Sequence, residues 1–242
     1  EMLGFFNQGQ KLKDLPVTAT IQSVQNVSFP ALSKIREDSG KFAEGYRQLL
    51  LMVAFVVSPV MLGMVAVAEE LFALFLGEKW MPTVPYFEIL SLSGLFMPLA
   101  MVACNVLKAR SDGSVIVRLE VVKKTVQTLI LAVSIPCGVR AIAWGVVAMA
   151  FCELALNLRA ARRFAELSFG RIARAIVPAV LLSVAMFAAV RLYGDVVTLA
   201  LPLLLLTKIL LGAVLYIGLS LAFRLEAAQV ALGMLRRMRE RS

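Results

Sequence analysis

The stretch "RLEVVKKTVQTLILAVSIPCG", Arg118 to Gly138, joins two halves that ask for different surroundings. Its second half is apolar enough to lie in lipid. Its first half carries Arg118, Glu120, Lys123 and Lys124, with the amide of Gln127 one turn further on. At 100° per residue, Glu120, Lys123, Lys124 and Gln127 fall within about a 100° arc of one helix. Arg118 points roughly the opposite way, near the helix end, where it can snorkel to the headgroups. A charge at the bilayer centre costs about 2.5–3.5 kcal/mol even on the lenient insertion scale, so the stripe must face protein or water. Glu120 is expected to pair with Lys124 at i+4, for about 0.2–0.5 kcal/mol. One carboxylate cannot neutralise two ammonium groups, and the excess charge is left for a partner helix or an anionic ligand. Two readings stay open: a headgroup-level salt-bridge cluster, or the wall of a wet cavity. Gln127 favours the second, because it extends the stripe inward.

The rest of the chain fits a membrane setting. Hydrophobic residues make up 60% of the 242 positions, against roughly 45–50% in soluble domains, and the mean hydropathy is +0.83. Runs of about 17–25 apolar residues, enough for a bilayer span, occur at about 15–33, 49–68, 85–107, 115–137, 139–157, 175–193 and 196–223. These predict an all-α polytopic membrane protein of about seven spans. Of the 25 Lys and Arg residues, 16 fall after spans one, three, five and seven, and five on the other side. That asymmetry predicts a cytoplasmic C-terminus. The chain starts at Glu1 with "EMLGFFNQGQ", which reads as the end of an upstream helix and predicts a fragment of a longer protein. The net charge of +9 is spread between spans, so it argues for topology and not for nucleic acid.

Other polar residues sit where lipid is expected. Thr18, Gln22, Gln25, Asn26 and Ser33 recur at three- and four-residue steps in the first span. They read either as interhelical glue, about 0.6 kcal/mol per contact, or as a second cavity wall. Glu88 is a further candidate, as are Glu153 and Asn157. The plainer alternatives are an interfacial carboxylate for Glu88 and a partner of the Arg159–Arg163 cluster for Glu153. Glu69 and Glu70 are expected at the outer interface, and spacing identifies no partner for Lys208. Pro30, Pro59, Pro98, Pro178 and Pro202 are expected to kink their spans, and Trp80, Tyr86 and Trp144 fit an interfacial belt.

The sequence carries no P-loop, GxSxG, HExxH or CxxC motif, and no histidine. Cys104, Cys137 and Cys152 have no metal-ligand or disulfide spacing. No enzyme, metal or cofactor is expected.

The segments "LGFFNQGQKLKDLP", "VSFPALSKIREDSGKFAEGYRQ", "FLGEKWMPTVPYFEILSLSG", "NVLKARSDGS" and "RLEVVKK" resemble the Wzx-type lipopolysaccharide and polysaccharide export flippases of the MOP superfamily. The resemblance covers about residues 1–160. It implies two six-helix lobes around a central cavity, of which this chain is the second. Residues 1–165 would be the end of helix seven and helices eight to twelve. Residues 166–224 would be an additional helix pair, and 225–242 a basic cytoplasmic tail. The implied function is flipping a polyprenyl-pyrophosphate-linked oligosaccharide across the bacterial inner membrane. The implied partners are that lipid-linked sugar, membrane lipid and the missing N-terminal lobe of the same protein. Lys123, Lys124, Glu120, Gln127, Gln22, Gln25, Asn26 and Glu88 are the substrate-cavity candidates. The alternatives are a small-molecule or drug exporter of the same superfamily, or a membrane-embedded polysaccharide polymerase or ligase. The last is disfavoured by the short outer loops.

Overall fold

The computed structural model describes residues 2–230 and 233, so most of the basic tail, including Arg236, Arg237, Arg239 and Arg241, lies outside the described residues, as does Glu1. Among the described residues the helices with defined bounds are α1 Met2–Lys34, α2 Ser39–Ala66, α3 Ala68–Phe75, α4 Val84–Arg110, α5 Gly113–Ser134, α6 Val139–Ala165, α7 Phe169–Val196 and α8 Leu201–Ala222. Short 3-10 segments, Glu78–Thr83 and Ile135–Cys137, precede α4 and follow α5. There is no strand among the described residues, and the all-α polytopic reading holds.

Helix α4 occupies the centre, packed on α1, α2 and α6. Its glycine explains one close approach: a Cβ on Gly94 would lie 2.4 Å from Met61 Sδ and 2.8 Å from Val17. Helix α5 leans on α6, α7 on α2, and α8 on α7 and α3. The polar helices α1 and α5 therefore flank the α4–α6 pair.

Among the described residues, five segments are long and apolar enough to cross a membrane: Ser39–Ala66, Glu78–Arg110, Val139–Ala165, Phe169–Val196 and Leu201–Ala222. The first and fourth of the seven predicted spans, now α1 and α5, are long helices that fall short of that apolarity, because each carries its polar stripe. A helix of this kind crosses lipid only with the stripe against protein or water.

The break expected between an upstream helix and the first span is absent. Helix α1 runs unbroken through Lys11, Lys13 and Asp14. The reason is a single buried stripe, Phe6, Gly9, Lys13, Val17, Val24, Ser28 and Leu32, spaced at three, four or seven residues throughout. Charges interrupt a span but not a helix. Lys13 lies on this stripe, fully buried and 2.6 Å from Asp14 Oδ1. Its 33 residues reach about 50 Å at 1.5 Å each, well beyond a hydrocarbon core of about 30 Å.

The connectors are also shorter than the apolar runs suggested. "KIREDSGKFAEGYRQ" is mostly the ends of α1 and α2, and "RAARRFAELSFGRIAR" mostly the ends of α6 and α7. N-caps start α2 and α7 inside these connectors: Asp38 accepts from the Lys41 amide at 3.0 Å and Ser168 from the Arg171 amide at 3.4 Å. The turns between α1 and α2, after α4 and after α6 meet at one end, where Arg110 donates to the Arg36 and Phe164 carbonyls at 2.7 and 3.0 Å and stacks 4.0 Å over Phe42. This is the basic end of the bundle. Pro202 lies in the first turn of α8, where a missing N–H costs nothing, so it starts that helix instead of kinking it.

Candidate functional site

The stripe on α5 divides. Lys123 turns inward and is buried against α6. It forms ion pairs with Glu120, one turn back, and with Glu153 of α6 at 3.6 Å. The expected Glu120–Lys124 pair is replaced by Glu120–Lys123, because the i−3 direction points the carboxylate to the α6 side, where Lys123 is already desolvated. Glu153 serves Lys123 and not the Arg159–Arg163 cluster. Lys123 therefore carries no excess charge. Lys124 faces outward and is exposed, donating to Gln127 Oε1 at 3.2 Å. Beside it the exposed Thr125 and Thr128 fold their hydroxyls back onto the Val121 and Lys124 carbonyls at 2.9 Å each. Together with Glu120, Val117 and Leu129 they line an open depression on the outer face of α5.

Helix α1 also divides. Its buried face meets α4, where Asn105 donates to Ser28 Oγ at 2.6 Å. Thr18, Gln22, Gln25 and Asn26 stay exposed on the other side, and Gln25 reaches a neighbour, Met101 Sδ at 3.3 Å. Asn157 is glue: it is buried, and its Nδ2 donates to the Ala100 carbonyl at 3.1 Å.

Glu88 belongs elsewhere. It lies at the end of the bundle opposite Arg110, paired with Arg191 of α7, which also reaches Glu69 at 3.3 Å. Next to it Lys208 of α8 pairs with Glu70 of α3, both buried. Glu70 is thus not an interfacial carboxylate, because α2 ends at Ala66 and α3 restarts at Ala68, which swings Glu70 under α8. Among the described residues Glu70 Oε2 has no hydrogen-bond partner. Gly194 leaves room for the lysine, since a Cβ there would lie 2.2 Å from Lys208 Cε. These contacts, with Tyr216 donating to the Phe55 carbonyl at 2.8 Å, fasten α7 and α8 to the other helices. Spacing could not reveal Glu70 and Lys208 as partners, being 138 residues apart.

Of the sequence candidates, Glu120, Lys123, Lys124 and Gln127 thus come together on α5 with Glu153. Gln22, Gln25 and Asn26 form a separate exposed face on α1, and Glu88 joins neither. Among the described residues no group of His, Cys, Asp and Glu has the arrangement of a metal site.

Residues 1–85 match the family profile described as "Polysaccharide biosynthesis protein". The chain is 30% identical over 114 residues to the "Teichuronic acid biosynthesis protein TuaB" of Bacillus subtilis, which covers 46% of this chain and 24% of that protein. It is 28% identical over 121 residues to an "Uncharacterized membrane protein in cps region" of Klebsiella pneumoniae, covering 50% and 25%. Over 92 residues it is 29% identical to the "Lipopolysaccharide biosynthesis protein WzxC" of Escherichia coli, covering 38% and 19%. The chain spans about a quarter of the length of the curated relatives it matches. No solved structure gives a significant match. The resemblance to Wzx-type polysaccharide export proteins is borne out by these matches, each of which covers half of the chain or less.

Proposed function

We propose that this chain is one lobe of an exporter that flips a polyprenyl-pyrophosphate-linked oligosaccharide across the bacterial inner membrane. The lobe works with a second lobe of the same protein, which covers the polar faces of α1 and α5. The observation that carries this reading is Lys124. It stands exposed beside Thr125, Thr128 and Gln127 on a helix whose first half is charged and which falls short of the apolarity of a span, while the neighbouring Lys123 is neutralised inside. An ammonium on a flexible stem suits a pyrophosphate that must bind and then leave. The names of the relatives from Bacillus subtilis and Escherichia coli, which refer to teichuronic acid and lipopolysaccharide biosynthesis, support a polysaccharide precursor as the cargo.

In the full-length protein, Lys124→Ala should lower surface polysaccharide about tenfold or more at unchanged protein level, the loss of one charge-assisted contact of about 1.5–3 kcal/mol. Lys124→Arg should keep part of the activity. Normal export by Lys124→Ala would remove the lysine from the transport path. The charge asymmetry supports a cytoplasmic position for the basic end, and on that reading the exposed Cys137 at the opposite end should react with an impermeant maleimide in intact spheroplasts. Labelling only after the membrane is opened would reverse the orientation.

A further inference from the structure

The basic end of the bundle holds a second charged site, apart from α5. Arg47 of α2 is clamped between two carboxylates, Glu44 at 2.6 Å and Glu226, beyond α8, whose other oxygen accepts from Arg47 at 2.8 Å. Arg171 and Arg174 stand beside them on the first turns of α7, and the five side chains line one pocket of about 340 Å³. Both carboxylates are engaged by Arg47. Among the described residues, Arg171 and Arg174 form no ion pair, and both are exposed. Three guanidinium groups against two carboxylates leave one net positive charge, on the side of the pocket that faces outward.

The surface beyond Arg174 says what kind of anion fits. Val177, Leu181 and Val184 are exposed at steps of three or four residues from Arg174, so they continue the same face of α7 into the apolar span Phe169–Val196. The face thus begins with two exposed arginines and continues as an aliphatic rail. A soluble phosphate would use only the arginines. A phospholipid uses both parts.

We propose that Arg171, Arg174 and the Val177–Leu181–Val184 rail bind an anionic phospholipid of the surrounding bilayer, with its phosphate on the guanidinium groups and an acyl chain along α7. Arg47 serves as the fixed positive wall, held in place by Glu44 and Glu226. Planar guanidinium forks match phosphate oxygens, and basic pockets between helices at a membrane surface are suited to acidic headgroups. The inference rests on α7 crossing the membrane and is independent of the transport reading.

The test uses the chain in nanodiscs of phosphatidylcholine with a minor fraction of phosphatidylglycerol, released into the gas phase for native mass spectrometry. The expected result is retained phosphatidylglycerol in excess over phosphatidylcholine. Arg171→Gln with Arg174→Gln should cut that excess more than tenfold, since each basic group near an anionic surface is worth about fivefold. Arg171→Lys with Arg174→Lys should keep part of it. Arg159→Gln with Arg163→Gln, basic residues outside the pocket, should leave it unchanged and controls for general charge and folding. Equal retention of the two lipids, or an unchanged excess in the Arg171/Arg174 glutamine variant, would overturn the site. Displacement of the lipid by millimolar inorganic phosphate would reassign it to free anions and overturn the lipid proposal.

Discussion

Lys123 and Lys208 are both buried lysines within helices, and the two are neutralised in different ways. Lys123 has a partner one turn away, Glu120, and another on the adjacent helix α6, Glu153. Those carboxylates keep 46% and 34% of their side-chain surface, so the group is open on one side. Lys208 has one carboxylate, Glu70, and the pair is sealed, with 4% and 9% of the side-chain surface left. One group is open and has room to rearrange. The other is a closed joint that holds α8 against α3. The same residue type in the same kind of helix therefore serves an open surface in one place and an internal tie in the other, and the exposure of the carboxylate partner makes the difference.

Breaking the closed joint should give the largest effect. Lys208→Met leaves the Glu70 carboxylate buried with no cation, a change that typically costs about 3–5 kcal/mol. We expect a large loss of thermal stability in detergent, read by fluorescence-detected size exclusion. Lys208→Met combined with Glu70→Leu should recover most of that loss, since an apolar replacement of a buried pair is often neutral. A single variant as stable as the parent would show that the joint is wet, and the contrast with Lys123 would disappear.

The same contrast explains what the sequence made legible. Period and hydropathy located seven long helices, because each has its own repeating pattern, but five of them and not seven are apolar enough to cross a membrane. The Lys123 group was partly legible because Glu120 and Lys123 share one helix, although the choice of Lys123 over Lys124 as the buried lysine depends on where α6 lies. Lys208 was legible only as an anomaly: its partner sits on α3, a short helix created by the break at Val67, and no local signal connects the two. The continuity of α1 was hidden for a related reason. Lys11, Lys13 and Asp14 look like a connector until the stripe from Phe6 to Leu32 is seen to bury Lys13. The masking of charge by tertiary contacts is what one-dimensional patterns lose.

A smaller effect is expected at the open group. Lys123→Met removes the cation between Glu120 and Glu153, but both carboxylates can turn to water, so the cost should be about 1–2 kcal/mol, between an exposed pair and a buried one. Lys124→Ala should leave stability within about 0.5 kcal/mol, as for most exposed substitutions. Melting curves of the two variants side by side sharpen the division of the stripe. If Lys124→Ala destabilises more than Lys123→Met, the inward and outward assignments are exchanged.

The smallest effect lies outside the membrane segments, where the hydrogen bond from Arg47 holds the Glu226 carboxyl below its ordinary value of 4.5. The pair is half-exposed and should add little at neutral pH, but its sign is definite. A carboxyl that binds protons less readily in the folded state stabilises that state above its unfolded value, and the contribution fades as pH falls below 4.5 and through the lowered folded value. Glu226→Gln should therefore lower the melting temperature slightly at pH 7, with the gap to the parent closing in the acid range. Asp38 is depressed in the same direction by the Lys41 amide and ammonium, so both proteins will soften together in acid and only their difference isolates Glu226. A gap that stays constant from pH 7 into the acid range would mean that Glu226 holds Arg47 by packing and not by its charge. The segment after α8 would then be tied to α2 in a third way, distinct from both the open and the closed lysine groups.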